Sequence, residues 1–144
     1  MKSLLPRLAL VVLAAVALPA LAQQWKQVRR DDTVMLSVDI DSIKTENGVT
    51  SANYLVDFRR AQEAPMEKHY RSIVVRTRIK CPEKEISVVH TDAYERWGGG
   101  GIIVAKTQDS KEDAAFHPLE KDTSDEDVWR YVCEVRKGAP PPKK

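Results

Sequence analysis

Tyr70–Cys81 is the stretch that most limits what this chain can become. Its odd positions after Arg71 read Ile73, Val75, Thr77, Ile79 and Cys81, and its even positions read Ser72, Val74, Arg76, Arg78 and Lys80. A strict period of two places the first set on one side of a β-strand and the second set on the other. Pro82 ends the run. Cys81 therefore stands in register with the apolar side, where a covalent link into a core has to start. The one other cysteine is Cys133.

The N-terminal segment bears on how those cysteines behave. Met1–Ala22 has the three parts of a secretory signal: a positive start at Lys2 and Arg7, an unbroken apolar run at Leu8–Leu18, and an Ala-x-Ala ending at Ala20-Leu21-Ala22. The run is too short to span a bilayer as a stable helix. No later stretch is long and apolar enough to do so, so stable membrane insertion after signal cleavage is not expected. Export to an oxidising compartment makes a Cys81–Cys133 disulfide the expected state. It closes a loop of about fifty residues, for which the chain-entropy treatment gives roughly 4 kcal/mol. Two thiols are too few for a structural zinc site, and their spacing does not fit a Cys-x-x-Cys redox pair. Lys2 and Arg7 also account for the whole formal net charge of +2. The rest of the chain is formally neutral, which weighs against a nucleic-acid partner.

The remaining segments read mostly as strands. Trp25–Arg29 is a short one. In Val34–Ile40, Val34, Leu36, Val38 and Ile40 point one way, with Met35, Ser37 and Asp39 opposite. Glu46-Asn47-Gly48 is a turn, and Thr50–Arg59 returns from it as a hairpin. Gln62–Glu67, with Pro65, reads as a loop. Glu85–Tyr94 is a fourth strand, Gly98–Gly101 a flexible connection, Ile102–Ala105 a further short strand, and Asp109–Ala115 a charged loop. One helix follows. Ser124 is its expected cap, acids occupy its first turn, Val128, Val132 and Val135 form its apolar stripe beside Trp129 and Cys133, and Gly138 and Pro140 stop it. Antiparallel strands followed by one terminal helix define an α+β class. The disulfide would pin the helix to the sheet. The expected boundaries are a signal peptide over 1–22, a single domain over 23–137 and a disordered tail over 138–144.

Catalytic signals are weak. His90 and Asp92 share a strand face, but nothing in the sequence names further converging groups, and the plain reading is a polar strand surface. A hydrolase would need His90 or His117 to meet carboxylates in a cleft. Gly100–Thr107 nearly mimics a phosphate-binding loop, yet Ala105 stands where glycine is required before Lys106, and Ile102, Ile103 and Val104 fill what should be a cradle. No enzyme activity, metal or cofactor is expected. The basic row Arg76, Arg78 and Lys80, with Lys68 and Arg71 nearby, is the candidate ligand-binding set, suited to a polyanion or an acidic protein surface. Opposed to it, Asp109–Asp127 carries eight acids and two lysines. The plain alternative is a solvated strand face whose charges partly compensate.

The order of landmarks resembles the surface-adhesin protein E family of Gram-negative bacteria. It begins with Trp25 and a strand ending Val38-Asp39-Ile40-Asp41-Ser42-Ile43. A long strand then runs into the first cysteine (Ile73–Cys81), and a glycine-containing hairpin follows (Gly98–Val104). Last come His117-Pro118-Leu119 and a helix bearing the second cysteine (Val128–Cys133). The resemblance implies an antiparallel sheet of about six strands with a C-terminal helix tethered by the disulfide, often as a homodimer. It also implies binding of host matrix and serum proteins at the cell surface. No cysteine follows the signal's apolar run to carry a lipid anchor, so a periplasmic or secreted product is the simpler expectation. The alternative function is that of a structural or accessory component of an envelope complex in the periplasm.

Overall fold

A computed structural model describes residues 23–108 and 114–136. The signal segment, the first residues of the acidic loop, the expected helix stop at Gly138 and Pro140, and the tail lie outside the described residues. Among the described residues, seven strands and one α-helix follow in order: β1 Trp25–Arg30, β2 Val34–Glu46, β3 Val49–Ala64, β4 Lys68–Lys80, β5 Glu85–Arg96, β6 Gly100–Gln108, β7 His117–Pro118 and α1 Ser124–Arg130. The first six form an antiparallel meander in sequence order, and the two-residue β7 pairs with the start of β5. This is the expected α+β architecture.

Cross-strand register explains the core. Val38 pairs with Tyr54 and Tyr54 with Val75, while Leu36 pairs with Val56 and Ile79 with Ile86. Side chains on paired residues share a face, so these residues pave one side of the sheet. Val128, Trp129, Val132 and Cys133 of the C-terminal helical segment close over them. Cys81 and Cys133 form the disulfide, with their Cα atoms 5.6 Å apart, and the Trp129 indole N–H donates to the Cys81 carbonyl at 3.3 Å. The other end of the helix is held too. The Tyr54 hydroxyl donates to Asp125 at 2.8 Å, and Arg29 reaches Asp127 at 3.3 Å.

Several local expectations are corrected. In β2 the period-two pattern breaks after Asp39, where the pairing with β3 skips to Lys44. The Ser42 hydroxyl donates to the Asp39 carbonyl and accepts the Asn53 N–H, which bridges the interrupted ladder. The bulge turns Ile43, rather than Ile40, into the core. Strand β3 does not stop at Arg59. It shifts register between Asp57 and Gln62 and pairs on to Ala64, so the expected Gln62–Glu67 loop shrinks to a tight turn with Met66 and Glu67 at positive φ. Gly100 and Gly101 belong to β6 rather than to a flexible connection.

The helix cap is Thr123, not Ser124. Its hydroxyl accepts the Glu126 N–H at 3.2 Å, while the Glu126 carboxylate accepts the Asp122 N–H at 2.8 Å. After Arg130 the helix widens into a π turn over Tyr131–Val135. That turn changes the angular spacing, and Val135 leaves the apolar stripe with 59% exposure.

Candidate functional site

With the helix sealed onto one side, no helix among the described residues packs on the other side of the sheet. Arg76, Arg78 and Lys80 alternate onto it, as their parity requires. Their cross-strand neighbours are Asn53 and Ser51 on β3, and His90, Ser87 and Glu85 on β5. The row does not stand bare. The segment after the acidic loop folds back over it, anchored where the Ser87 hydroxyl donates to the Ala114 carbonyl at 2.9 Å. Phe116 then lies under two cations, 5.0 Å from the Arg78 guanidinium and 4.3 Å from the Lys80 ammonium. Lys80 also pairs with Glu85 at 3.3 Å. Arg76 is exposed.

The remaining two members of the expected set are elsewhere. Lys68 opens β4 beside Ala64, at the far end of the strand. Arg71 has the opposite parity and lies over the Trp97 indole, 4.6 Å from the ring centroid. The five basic residues thus form a compact row of three and two outliers.

His90 and Asp92 are brought together on the helix-free face. The His90 Nε2 to Asp92 Oδ1 distance is 2.8 Å, with both side chains nearly buried. Arg76 pairs with His90 across the strands. Burial first, and then the nearby Asp92 carboxylate, raise the pKa of Tyr94 above the ordinary tyrosine value, with Arg76 opposing. His117 lies on β7 and pairs with Ile86, at the other end of β5 from Tyr94. Of the two histidines considered for a hydrolase, His90 thus meets one carboxylate, that of Asp92, and His117 lies apart from both.

A second constellation occupies the corner between β5 and β6. Trp97–Gly99 forms a tight turn in which Gly98 has φ 69° and Gly99 φ 70°, values that favour glycine. The Gly98 N–H donates to the Asp57 carboxylate at 2.6 Å, and the Gly99 N–H donates to the Ser72 hydroxyl at 3.0 Å. The Trp97 indole N–H donates to the Phe58 carbonyl at 2.7 Å.

The sequence model of the surface-adhesin protein E family matches residues 25–134, from the first residue of β1 into the π turn that carries Cys133. The chain belongs to the surface-adhesin protein E family. Its fold is similar to the crystal structure of protein E from non-typeable Haemophilus influenzae, with a TM-score of 0.55 at 19% identity over 78% of each chain. A further structure of Haemophilus influenzae protein E gives a TM-score of 0.53 at 16% identity, covering 83% of this chain and 97% of that one. At these identities the likeness concerns the fold. No curated protein matches this chain by sequence. No described helix is long and apolar enough to cross a membrane.

For this protein E-like domain, Phe116 and Trp97 are the surface residues that sequence reasoning did not single out. The Gly98–Gly101 run marked a turn, but nothing local told that it sets an indole against Phe58 and Arg71. Phe116 meets Arg78 and Lys80 only through the fold.

Proposed function

We propose that the chain is an exported, adhesin-like binding domain, not an enzyme, which presents the helix-free face of its sheet to host matrix proteins or polyanions. The observation that carries this reading is the division of labour between the two sides of the sheet. One side is spent on the core beneath a disulfide-tethered helix, and the other carries Arg76, Arg78 and Lys80 in a row. Membership of a surface-adhesin family supports the same reading. Cations in a row attract acidic surfaces over about a Debye length, which makes such contacts salt-sensitive. The Met1–Ala22 segment supports export, with signal removal leaving a domain from Gln23 onwards.

The test uses the oxidised domain from residue 23 onward on immobilised purified matrix proteins and on heparin, at low and high salt. Arg76→Glu combined with Lys80→Glu is expected to remove most binding while the melting curve shows a folded protein. Binding that ignores both salt and charge reversal would overturn the basic-row assignment. Cell fractionation with surface protease accessibility tests display, and a product wholly protected inside the envelope would count against adhesion.

A further inference from the structure

The Trp97 corner is the best-organised part of the surface that folding does not explain. Trp97 is 55% exposed, yet its orientation is fixed by the hydrogen bond to Phe58 and by Arg71 against its ring. The backbone that carries it is fastened through Gly98 to Asp57 and through Gly99 to Ser72. An exposed indole contributes little to a core, and ordering it costs conformational freedom. Held rigid in advance, it is a ready platform for a ligand.

Beside the ring is a shallow depression of about 280 Å³ whose lining includes Arg30, Met35, Asp57, Phe58, Arg59 and Trp97. Three of these form a cross-strand row, since Arg30 pairs with Met35 and Met35 with Asp57. The electrostatics are one-sided. Arg30, Arg59 and Arg71 pair with no carboxylate among the described residues. Arg59 donates its Nε to the Asp31 carbonyl, which leaves its terminal nitrogens available. The single carboxylate at the floor, Asp57, already accepts a backbone N–H.

We infer that this corner is a binding site for an acidic saccharide, a sugar ring bearing sulfate or carboxylate. Each component has a matching role. The indole face takes the apolar C–H face of a sugar ring. The guanidiniums of Arg30 and Arg59 take the anionic substituent through paired N–H donors. The Asp57 carboxylate oxygen that Gly98 does not use accepts a sugar hydroxyl. A purely apolar ligand would leave the arginines unused, and a bare anion would leave the indole unused. The site is separate from the basic row, because Ser72, beneath the corner, precedes Arg76 and Lys80 by roughly 13 Å and 26 Å along β4.

Titration calorimetry and ¹H–¹⁵N spectra of the oxidised domain test this with two probes. A heparin-derived tetrasaccharide carries sulfate, and a hyaluronan-derived tetrasaccharide carries carboxylate alone. Binding of either with a shift of the Trp97 indole N–H supports the site, and their relative affinity tells which anion it takes. Trp97→Ala is expected to weaken binding at least tenfold, and Arg30→Gln about fivefold with a shallower salt dependence. The paired reversal of Arg76 and Lys80 should leave the Trp97 shift in place. Should Trp97→Ala disturb the fold, Arg30→Gln and the indole shift still decide. Absence of binding by both probes overturns the inference. So does binding that survives Trp97→Ala but is lost on reversing Arg76 and Lys80, which would leave the row reading standing.

Discussion

The Tyr54 hydroxyl, buried in the middle of β3, donates a 2.8 Å hydrogen bond to Asp125 in the first turn of the helix. It ties the start of the helix to the sheet, far from the disulfide that ties its end. Burial, reinforced by the Asp125 charge, pushes the tyrosine pKa well above its ordinary value. The folded state therefore holds this proton more tightly than the unfolded chain does. The resulting stabilisation is whole below about pH 10 and is lost as pH rises towards the folded value. Urea unfolding at pH 8 and pH 10.5 should show a lower midpoint at the higher pH. Tyr54→Phe is expected to cost about 1.5–3 kcal/mol at pH 8 by removing a bond to a charged acceptor, and to flatten the alkaline decline. An unchanged pH slope in the variant would assign the decline to other groups.

A seven-residue helix continued by a π turn is too short to persist without packing. What keeps it on the sheet is the burial of Val128, Trp129 and Val132 together with the Cys81–Cys133 link. Replacing both cysteines by serine is expected to lower stability by about 4 kcal/mol. The helical circular-dichroism signal should be lost ahead of the sheet signal. The native protein should weigh about 2 Da less than its reduced form. Two free thiols in the oxidised preparation, or an unchanged unfolding midpoint in the double variant, would contradict this.

The sheet was legible wherever one face had to be buried. Ile73, Val75, Thr77 and Ile79 alternate because the helix covers their side, and Cys81 follows them for the same reason. Legibility failed where a local hydrogen bond outcompeted the period. Ser42 bridging Asp39 and Asn53 exchanges Ile40 for Ile43 in the core, and no hydrophobic count can show that. The same holds at Thr123, whose neighbour Ser124 is an equally good cap by residue type. The candidate site was half visible for a different reason. Arg76, Arg78 and Lys80 are close in sequence, whereas their cover at Phe116 and the Trp97 corner depend on contacts between distant segments.

The cap assignment can be checked directly. Thr123→Ala removes the acceptor for the Glu126 N–H and is expected to cost about 1 kcal/mol. Ser124→Ala occupies the first helical position, where alanine is a good helix former, and should change stability by less than about 0.5 kcal/mol. Chemical unfolding of the two variants side by side separates the positions. Equal losses would mean that the two hydroxyls share the cap.

Phe116 decides how much of the basic row a partner meets. Its ring lies against both Arg78 and Lys80 and so covers part of the row. Each contact of this kind stabilises by about 0.5–1 kcal/mol at a part-exposed site. Phe116→Ala should therefore lower folding stability by about 1–2 kcal/mol. If the row is the contact surface, uncovering it should raise affinity for a polyanion about two- to fivefold and steepen its salt dependence. Heparin binding measured across a salt series on both proteins checks this. Weaker binding by the variant would instead make Phe116 part of the contact, a ring that orders the cations for the partner rather than covering them.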